Sequence, residues 1–311
     1  MSEVVVIGPT SRNLIVELEV LPDPRSQMIT ASHHWRSLGG TSAGKSLHLA
    51  ALGRSTTCVT ATGDDADATT ICDELEAAGV SVLPIRGLGP SEHHLNVMTR
   101  AGERLSIYLD HAPATTVSPR ERAAVCSALA GARLVALDLS DVGRKLLDVV
   151  RHANLPVWVD LHDYDGANPF HADFIAAADV VLMNGDGMAD PIAFLRGRVS
   201  AGAFAGVCTL GADGAIGVAA DGEVVHVPAV PVEVVDTNGA GDAFAAGMVR
   251  RVLGHGHTGP LDGAALRAAM VAGALQAPAA LASRGLAPTR GALGASAQQM
   301  DPPADGIETL Q

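Results

Sequence analysis

The 311-residue sequence predicts an α/β protein: a three-layer α/β/α domain around a mainly parallel central sheet, accompanied by a small second β-sheet. Three observations carry that prediction. Short apolar runs recur along the chain with helix-patterned stretches between them, the rhythm of parallel strands joined by crossovers. Two segments, 14–38 and 81–110, interrupt this rhythm with alternating strand-like stretches of their own. Towards the C-terminus, VVDTNGAGDAFAAG (Val234 to Gly247) reads as a strand end, a glycine-rich turn and a helix start.

In chain order, core strands are expected at Val4 to Ile7, Thr57 to Ala61, Arg133 to Leu137, Val157 to Val159, Val180 to Leu182, Gly206 to Leu210 and Val232 to Val235. Most are β-branched or leucine-rich runs suited to burial on both faces. Helices are expected at Ser46 to Leu52, Thr69 to Ala78, Pro119 to Ala128, Gly143 to Ala153 and Gly241 to Leu253. The second sheet draws on LIVELEV and on HHLNVMTRAGERLSIYL, with a turn expected at Ala101-Gly102. Residues 1–295 read as one domain, whereas 296–311, rich in Ala, Gln, Asp and Pro, reads as a disordered tail.

Composition narrows the partners. A net charge of −13 argues against nucleic acid or an anionic membrane. With 3% aromatic residues, stacking platforms for single strands are not expected. Cys58, Cys72, Cys126 and Cys208 have neither paired nor metal-ligand spacing and read as reduced, mostly buried thiols. The alanine-rich run Ala268 to Ala282 is interrupted by Gly273, Gln276 and Pro278 and reads as too short to span a bilayer. No signal-peptide core precedes Val4, so a cytoplasmic location is expected. No zinc spacing occurs among the histidines, although His162, Asp163 and Asp165 follow a strand end where a cleft would open.

The glycine-rich turn carries chemistry. Gly239, Ala240 and Gly241 leave backbone N–H groups unobstructed at a helix start, where orphan donors and the helix dipole favour an anion. Asp242 sits in that first turn. An acid beside an anion hole is what phosphoryl transfer requires: a group to orient or deprotonate the nucleophile, and donors for the moving phosphoryl group. A second string, GGTSAGKS from Gly39 to Ser46, satisfies the Walker A pattern, with Lys45 as the phosphate clamp. Its context is poor, because HHWRSL before it is not a buried strand and no clear Walker B acid follows.

The extended string DTNGAGDAF closely resembles the signature of the ribokinase-like (PfkB) family of sugar and nucleoside kinases. The resemblance implies a ribokinase-like fold whose small β-sheet is a lid over the substrate. It implies ATP and Mg2+ as cofactors, and K+ in some relatives. By that resemblance Asp242 is the catalytic base and Gly239, Ala240 and Gly241 form the anion hole. LGGTSAGKSLHLAALG resembles the family's N-terminal signature, so Gly39 and Gly40 match the substrate-contacting glycine pair. Gly44 stands where an Asn is expected, a loss for which Lys45 or His48 would compensate. Asn13 stands where relatives place a substrate-binding Asp; an amide both donates and accepts but lacks the carboxylate's charge.

Other positions follow by match. Thr209, Gly211 and Gly214 in CTLGADGAIGV correspond to the strand and loop that hold ATP, a segment that also reads as a plain hairpin. Asn184 corresponds to the first residue of the family's N-x-x-E motif. Gly187 replaces its Glu, leaving Asp186 as an outer-sphere Mg2+ contact. Asp236 is either the side-chain ligand of a monovalent cation, near the loop containing Gly285, or a turn former. Together these positions predict an ATP-dependent kinase acting on a hydroxymethyl group of a small sugar or nucleoside; the resemblance also allows a homodimer through the lid, with the oligomeric state left open. Two alternatives stand beside it: a P-loop phosphotransferase using Lys45, and a non-catalytic sugar or nucleotide sensor on a kinase scaffold.

Overall fold

A computed structural model describes residues 2–100, 103–112 and 116–287. β1 (Val4–Ile7) starts the main sheet, and the chain then leaves it for β2 (Ser11–Leu18) and β3 (His33–Gly39). It returns through α1 (Thr41–Ala51), β4 (Thr56–Thr62), α2 (Ala66–Ala77) and β5 (Ser81–Arg86), then leaves again for β6 (His93–Thr99) and β7 (Arg104–Asp110). The rest alternates: α3 (Pro119–Ala130), β8 (Leu134–Asp138), α4 (Asp141–His152), β9 (Val157–Asp160), α5 (Ala172–Ala177), β10 (Val180–Asn184), α6 (Pro191–Ser200) and β11 (Ala205–Thr209). β12 (Ala215–Ala219), β13 (Val224–Val227), α7 (Ala240–Gly254) and α8 (Gly263–Leu281) complete the order.

The main sheet runs β13-β12-β11-β10-β9-β8-β1-β4-β5, and only the β11-β12 and β12-β13 pairings within it are antiparallel. Its strands from β1 to β11 are apolar because both faces are covered. On one face α7 and α8 pack Phe244, Met248, Leu266 and Met270 against Val4, Val6, Leu134 and Leu182. On the other, α3 to α6 supply Val125, Leu146, Phe174 and Leu195. Strand order reverses between β1 and β8, and ligands of such sheets bind beyond the carboxyl ends at that switch. Local chemistry sets the helix starts: Asp65 accepts from the Ala68 amide at the head of α2, and Ser118 with Glu121 forms a capping box on α3.

The second sheet has the order β3-β2-β6-β7. Its register places Asn13 beside Ser37 and His94, and Met98 beside Arg104, so these residues share the face turned to the main domain.

Several expectations are corrected. Ser81–Arg86 belongs to the main sheet, parallel to β4, and not to the lid; Pro84 is tolerated there because β5 is an edge strand. Val232 to Val235 forms no strand, because the amides of Val235 and Asp236 bond to the Leu281 carbonyl at the end of α8 instead of to a sheet neighbour. α8 is continuous through Pro278 and, at 19 residues, is long and apolar enough by length and composition alone to cross a bilayer. It is apolar here because its Leu266, Ala269 and Met270 are core residues. Cys126 is exposed rather than buried. The turn at Ala101-Gly102 and the tail 296–311 lie outside the described residues.

Candidate active site

Every strand from β8 to β11 ends in a polar residue at the same edge of the sheet: Asp138, Asp160, Asn184 and Thr209. α7 begins opposite that edge. Gly239 takes φ 77°, the left-handed conformation that lets the chain turn into the helix, and a Cβ on it would stand 3.0 Å from the Leu286 carbonyl. A Cβ on Gly241 would meet nothing, so this face of the turn is open, and the first N–H groups of α7 have no helical acceptor. A cleft lined by Asp160, His162, Asn184, Thr209, Gly241 and Phe244 lies in front of them.

Asp242 follows, 6% exposed. Its Oδ1 accepts from Lys45 Nζ at 2.8 Å. The same ammonium lies 2.9 Å from Asp138 Oδ1 and 2.9 Å from Asp160 Oδ2. Ser42 at the start of α1 donates to Asp138 Oδ2 at 2.6 Å, and the His162 amide donates to Asp160 Oδ1 at 3.0 Å. One buried cation thus serves three buried carboxylates. The Asp242 pKa is raised to about 6: burial is the largest cause, Lys45 pulls it down, and the Asp138 and Asp160 charges push it up. Burial also opposes the charge on Lys45, but its three carboxylates outweigh this and hold its pKa well above the ordinary value. Asp160 is held down to about 2, where the His162 and Lys45 charges overcome its burial.

The glycines near residue 40 have separate reasons. Gly40 has φ 90°, and a Cβ there would meet the Pro9 carbonyl at 2.5 Å; a Cβ on Gly39 would meet Asn13 Nδ2 at 2.2 Å. The glycine pair therefore brings the lid root and the first strand end together and seats Asn13, whose Oδ1 accepts from the Ser11 hydroxyl at 2.7 Å. A Cβ at Gly44 would stand 2.4 Å from Asp242 Oδ2, so position 44 lies directly under the acid. The Walker A reading is corrected by the same geometry. Helix α1 begins at Thr41 and includes Gly44 and Lys45, leaving no loop to wrap phosphates, and Lys45 faces carboxylates.

The sequence-derived residues separate into two groups. Asp242, Gly241, Gly44, Lys45, Asn184 and Thr209 converge on the cleft and its floor, with Asn13, Gly39 and Gly40 at the lid root. Gly211 and Gly214 form the turn between β11 and β12, the hairpin reading; at φ 87°, Gly214 packs where a Cβ would meet the Val227 carbonyl at 2.1 Å. Asp236 accepts from the Asn238 amide at 2.8 Å and shapes the glycine-rich turn before α7, and burial raises its pKa. Asp186 is exposed, with its amide donating to Asn184 Oδ1. Gly187 cannot simply be exchanged for the family's Glu, because a Cβ there would meet the Asp163 carbonyl at 2.4 Å. Among the other polar residues after β9, Asp165 is spent on the Ala167 and Asn168 amides. His48 compensates for nothing in the cleft: it bonds the Leu286 carbonyl and Gln276.

Sequence reasoning missed Asp138 altogether and passed over Asp160. Both were marked by one signal, a carboxylate ending an apolar run (LVALD, VWVD) at the sheet edge where ligands gather. With His162 these two could form a metal-binding group, their ligand atoms lying within 4.8 Å of one another. The Lys45 ammonium already bonds both carboxylates.

Comparison with known proteins gives one family. The profile of the pfkB family carbohydrate kinases matches residues 1–287. The chain is 28% identical over 277 residues to acarbose 7(IV)-phosphotransferase of Actinoplanes sp., covering 88% of this chain and 91% of that protein. It is 27% identical to a nucleoside kinase of Methanothermobacter thermautotrophicus, covering 81% and 82% of the two chains. Among solved structures, a microbiome-derived acarbose kinase, Mak1, superposes with a TM-score of 0.80 at 26% identity, covering 93% of this chain and 95% of that one. Ribokinase from Giardia lamblia, at 19% identity, shares the fold with a TM-score of 0.77, covering 93% and 97%.

Proposed function

The chain belongs to the pfkB family of carbohydrate kinases, and from that premise we propose that it transfers the γ-phosphoryl group of ATP to a hydroxymethyl group of a sugar or nucleoside. Asp242 is the base, and the amides of Gly239, Ala240 and Gly241 are the anion hole. One observation carries this reading: a buried carboxylate, pushed up to about 6, in the first turn of a helix whose glycine-rich start opens onto a cleft. A base in that range is ionised at neutral pH yet basic enough to take a proton from an alcohol as its oxygen bonds to phosphorus.

The remaining residues divide the work. Asn184 and Thr209 line the nucleotide side of the cleft. Asp186, exposed beside Asn184, would hold a Mg2+ by an outer-sphere contact, and such an ion would offset phosphate charge. Asp236, buried next to the anion-hole turn, would be the carboxylate for a monovalent cation. Asn13 and the inner lid face, with His94 and Tyr108, meet the acceptor; their rings lie 4.1 Å apart. The relatives' names, an acarbose phosphotransferase and a nucleoside kinase, support sugars and nucleosides as the acceptor class. A homodimer would use the outer lid face, where Leu105 and Ile107 are exposed.

The reading is tested by measuring ADP release with ATP, Mg2+ and a panel of sugars, oligosaccharides and nucleosides. Release that depends on an acceptor, and is lost with its analogue lacking the primary hydroxyl, is the expected result. ATP binding without turnover across the panel would indicate the sensor instead.

A further inference from the structure

Three carboxylates and one ammonium occupy the floor of the cleft, and the chain departs from its family at just this point. Where the family signature has Asn, this chain has Gly44, and Lys45 follows it. The two residues act on one acid. Gly44 leaves free the space into which Asp242 Oδ2 projects, since any Cβ would stand 2.4 Å from that oxygen. Lys45, one residue on and 3% exposed, reaches Asp242 Oδ1 at 2.8 Å. The ammonium is itself fixed from below by Asp138 and Asp160, each at 2.9 Å. Asp138 is anchored in turn by the Ser42 hydroxyl. A lysine so committed has no free direction in which to clamp a phosphate.

We propose that Lys45 is the positioning residue of the base: seated on Asp138 and Asp160, it holds the Asp242 carboxylate ionised and aimed at the anion hole, in the space that Gly44 leaves open. The inference rests on Asp242 being the base. It assigns the chain's departure from the family signature a job, because an Asn at position 44 and this placement of Asp242 exclude each other.

The sign follows from the charges. The charged groups that face Asp242 are Lys45 from α1, Asp138 from β8 and Asp160 from β9, with His162 behind Asp160. α8, packed against α7, brings the neutral Gln276 to the neighbouring His48. Removing the ammonium leaves Asp242 facing two like charges in a buried site, so it protonates at higher pH. The acid limb of the kcat/KM profile reports the free enzyme and so follows Asp242, raised to about 6; it must move upward in Lys45→Met.

The experiment is a pH profile of kcat/KM for the acceptor, for wild type and Lys45→Met, with the KM for ATP measured alongside. The expected result is an acid limb raised by about 1–3 pH units, with activity recovering above it and the ATP KM changed little. A second pair, Asp138→Asn and Lys45→Met/Asp138→Asn, removes one carboxylate and keeps the charge imbalance small if the single lysine variant does not fold. There the double variant must have the higher limb of the two. An unmoved limb, or a loss confined to the ATP KM, would overturn the role. Asp242→Asn serves as the control: if it kept a normal rate, the reading of Asp242 as base would fail first, separately from the role of Lys45.

Discussion

At the scale of single residues, the site turns on which side chains are absent. Gly44 is the sharpest case. The Asp242 carboxylate occupies space that a Cβ at position 44 would claim at 2.4 Å. Gly44→Asn, which restores the residue of the family signature, is therefore expected to displace the acid and lower kcat by about 10²-fold, the cost of misplacing a reacting group by an ångström. Circular dichroism and thermal melting should show the fold retained. An unchanged kcat would mean that Asp242 has room to adjust. Glycine and aspartate at a helix start are by themselves common, but the glycine-rich turn and its acid were legible in the sequence because the extended string DTNGAGDAF resembles the family signature. Asp138 and Asp160 were not, because a lone carboxylate after an apolar run acquires meaning only when the sheet brings several strand ends to one edge.

At the scale of elements, α1 is held to its surroundings by His48, and the pH dependence of that attachment has a definite sign. Burial lowers the His48 pKa to about 4, opposed by its bond to Leu286. With Nε2–H donating to the Leu286 carbonyl, Nδ1 accepts from Gln276, so the neutral ring satisfies both partners. The unfolded chain binds a proton here near pH 6.5 and the folded one only near 4. Stability contributed by the neutral ring is present above the unfolded value and is lost as pH falls between the two, by at most about 3 kcal/mol. Urea unfolding at several pH values should show this slope, and His48→Gln should flatten it. The start of α1 was misread because Gly40 and Gly44 look like loop residues in sequence, whereas Gly44 is tolerated in the helix in return for the space it gives Asp242. The missing strand before the glycine-rich turn has a comparable cause, since the amides of Val235 and Asp236 are taken by the end of α8.

At the scale of the whole molecule, the parallel sheet was legible from the recurrence of apolar runs, and the lid from their interruption. What the pattern could not assign was β5, which opens the segment read as lid but whose partner is β4. Lid and body meet at the turn itself. Arg104 of β7 donates to Asn238 Oδ1, and Asn238 Nδ2 contacts Met98 Sδ of β6 at 3.4 Å. The residue before Gly239 is thus held by the lid, and under the proposed function this links lid closure to the placement of the amides that would receive the phosphoryl group. Arg104→Ala is expected to raise acceptor-independent ATP hydrolysis relative to transfer, because a loosened lid admits water; an unchanged ratio would detach the lid from the turn.

The catalytic predictions depend on Asp242. The direct measurement is the steady-state rate of phosphoryl transfer by Asp242→Asn against wild type, on an acceptor identified from the panel, with ATP affinity measured in parallel. The expected kcat is lower by about 10²–10⁴-fold, with ATP affinity little changed. A rate close to that of the wild type would contradict the role of Asp242 as base.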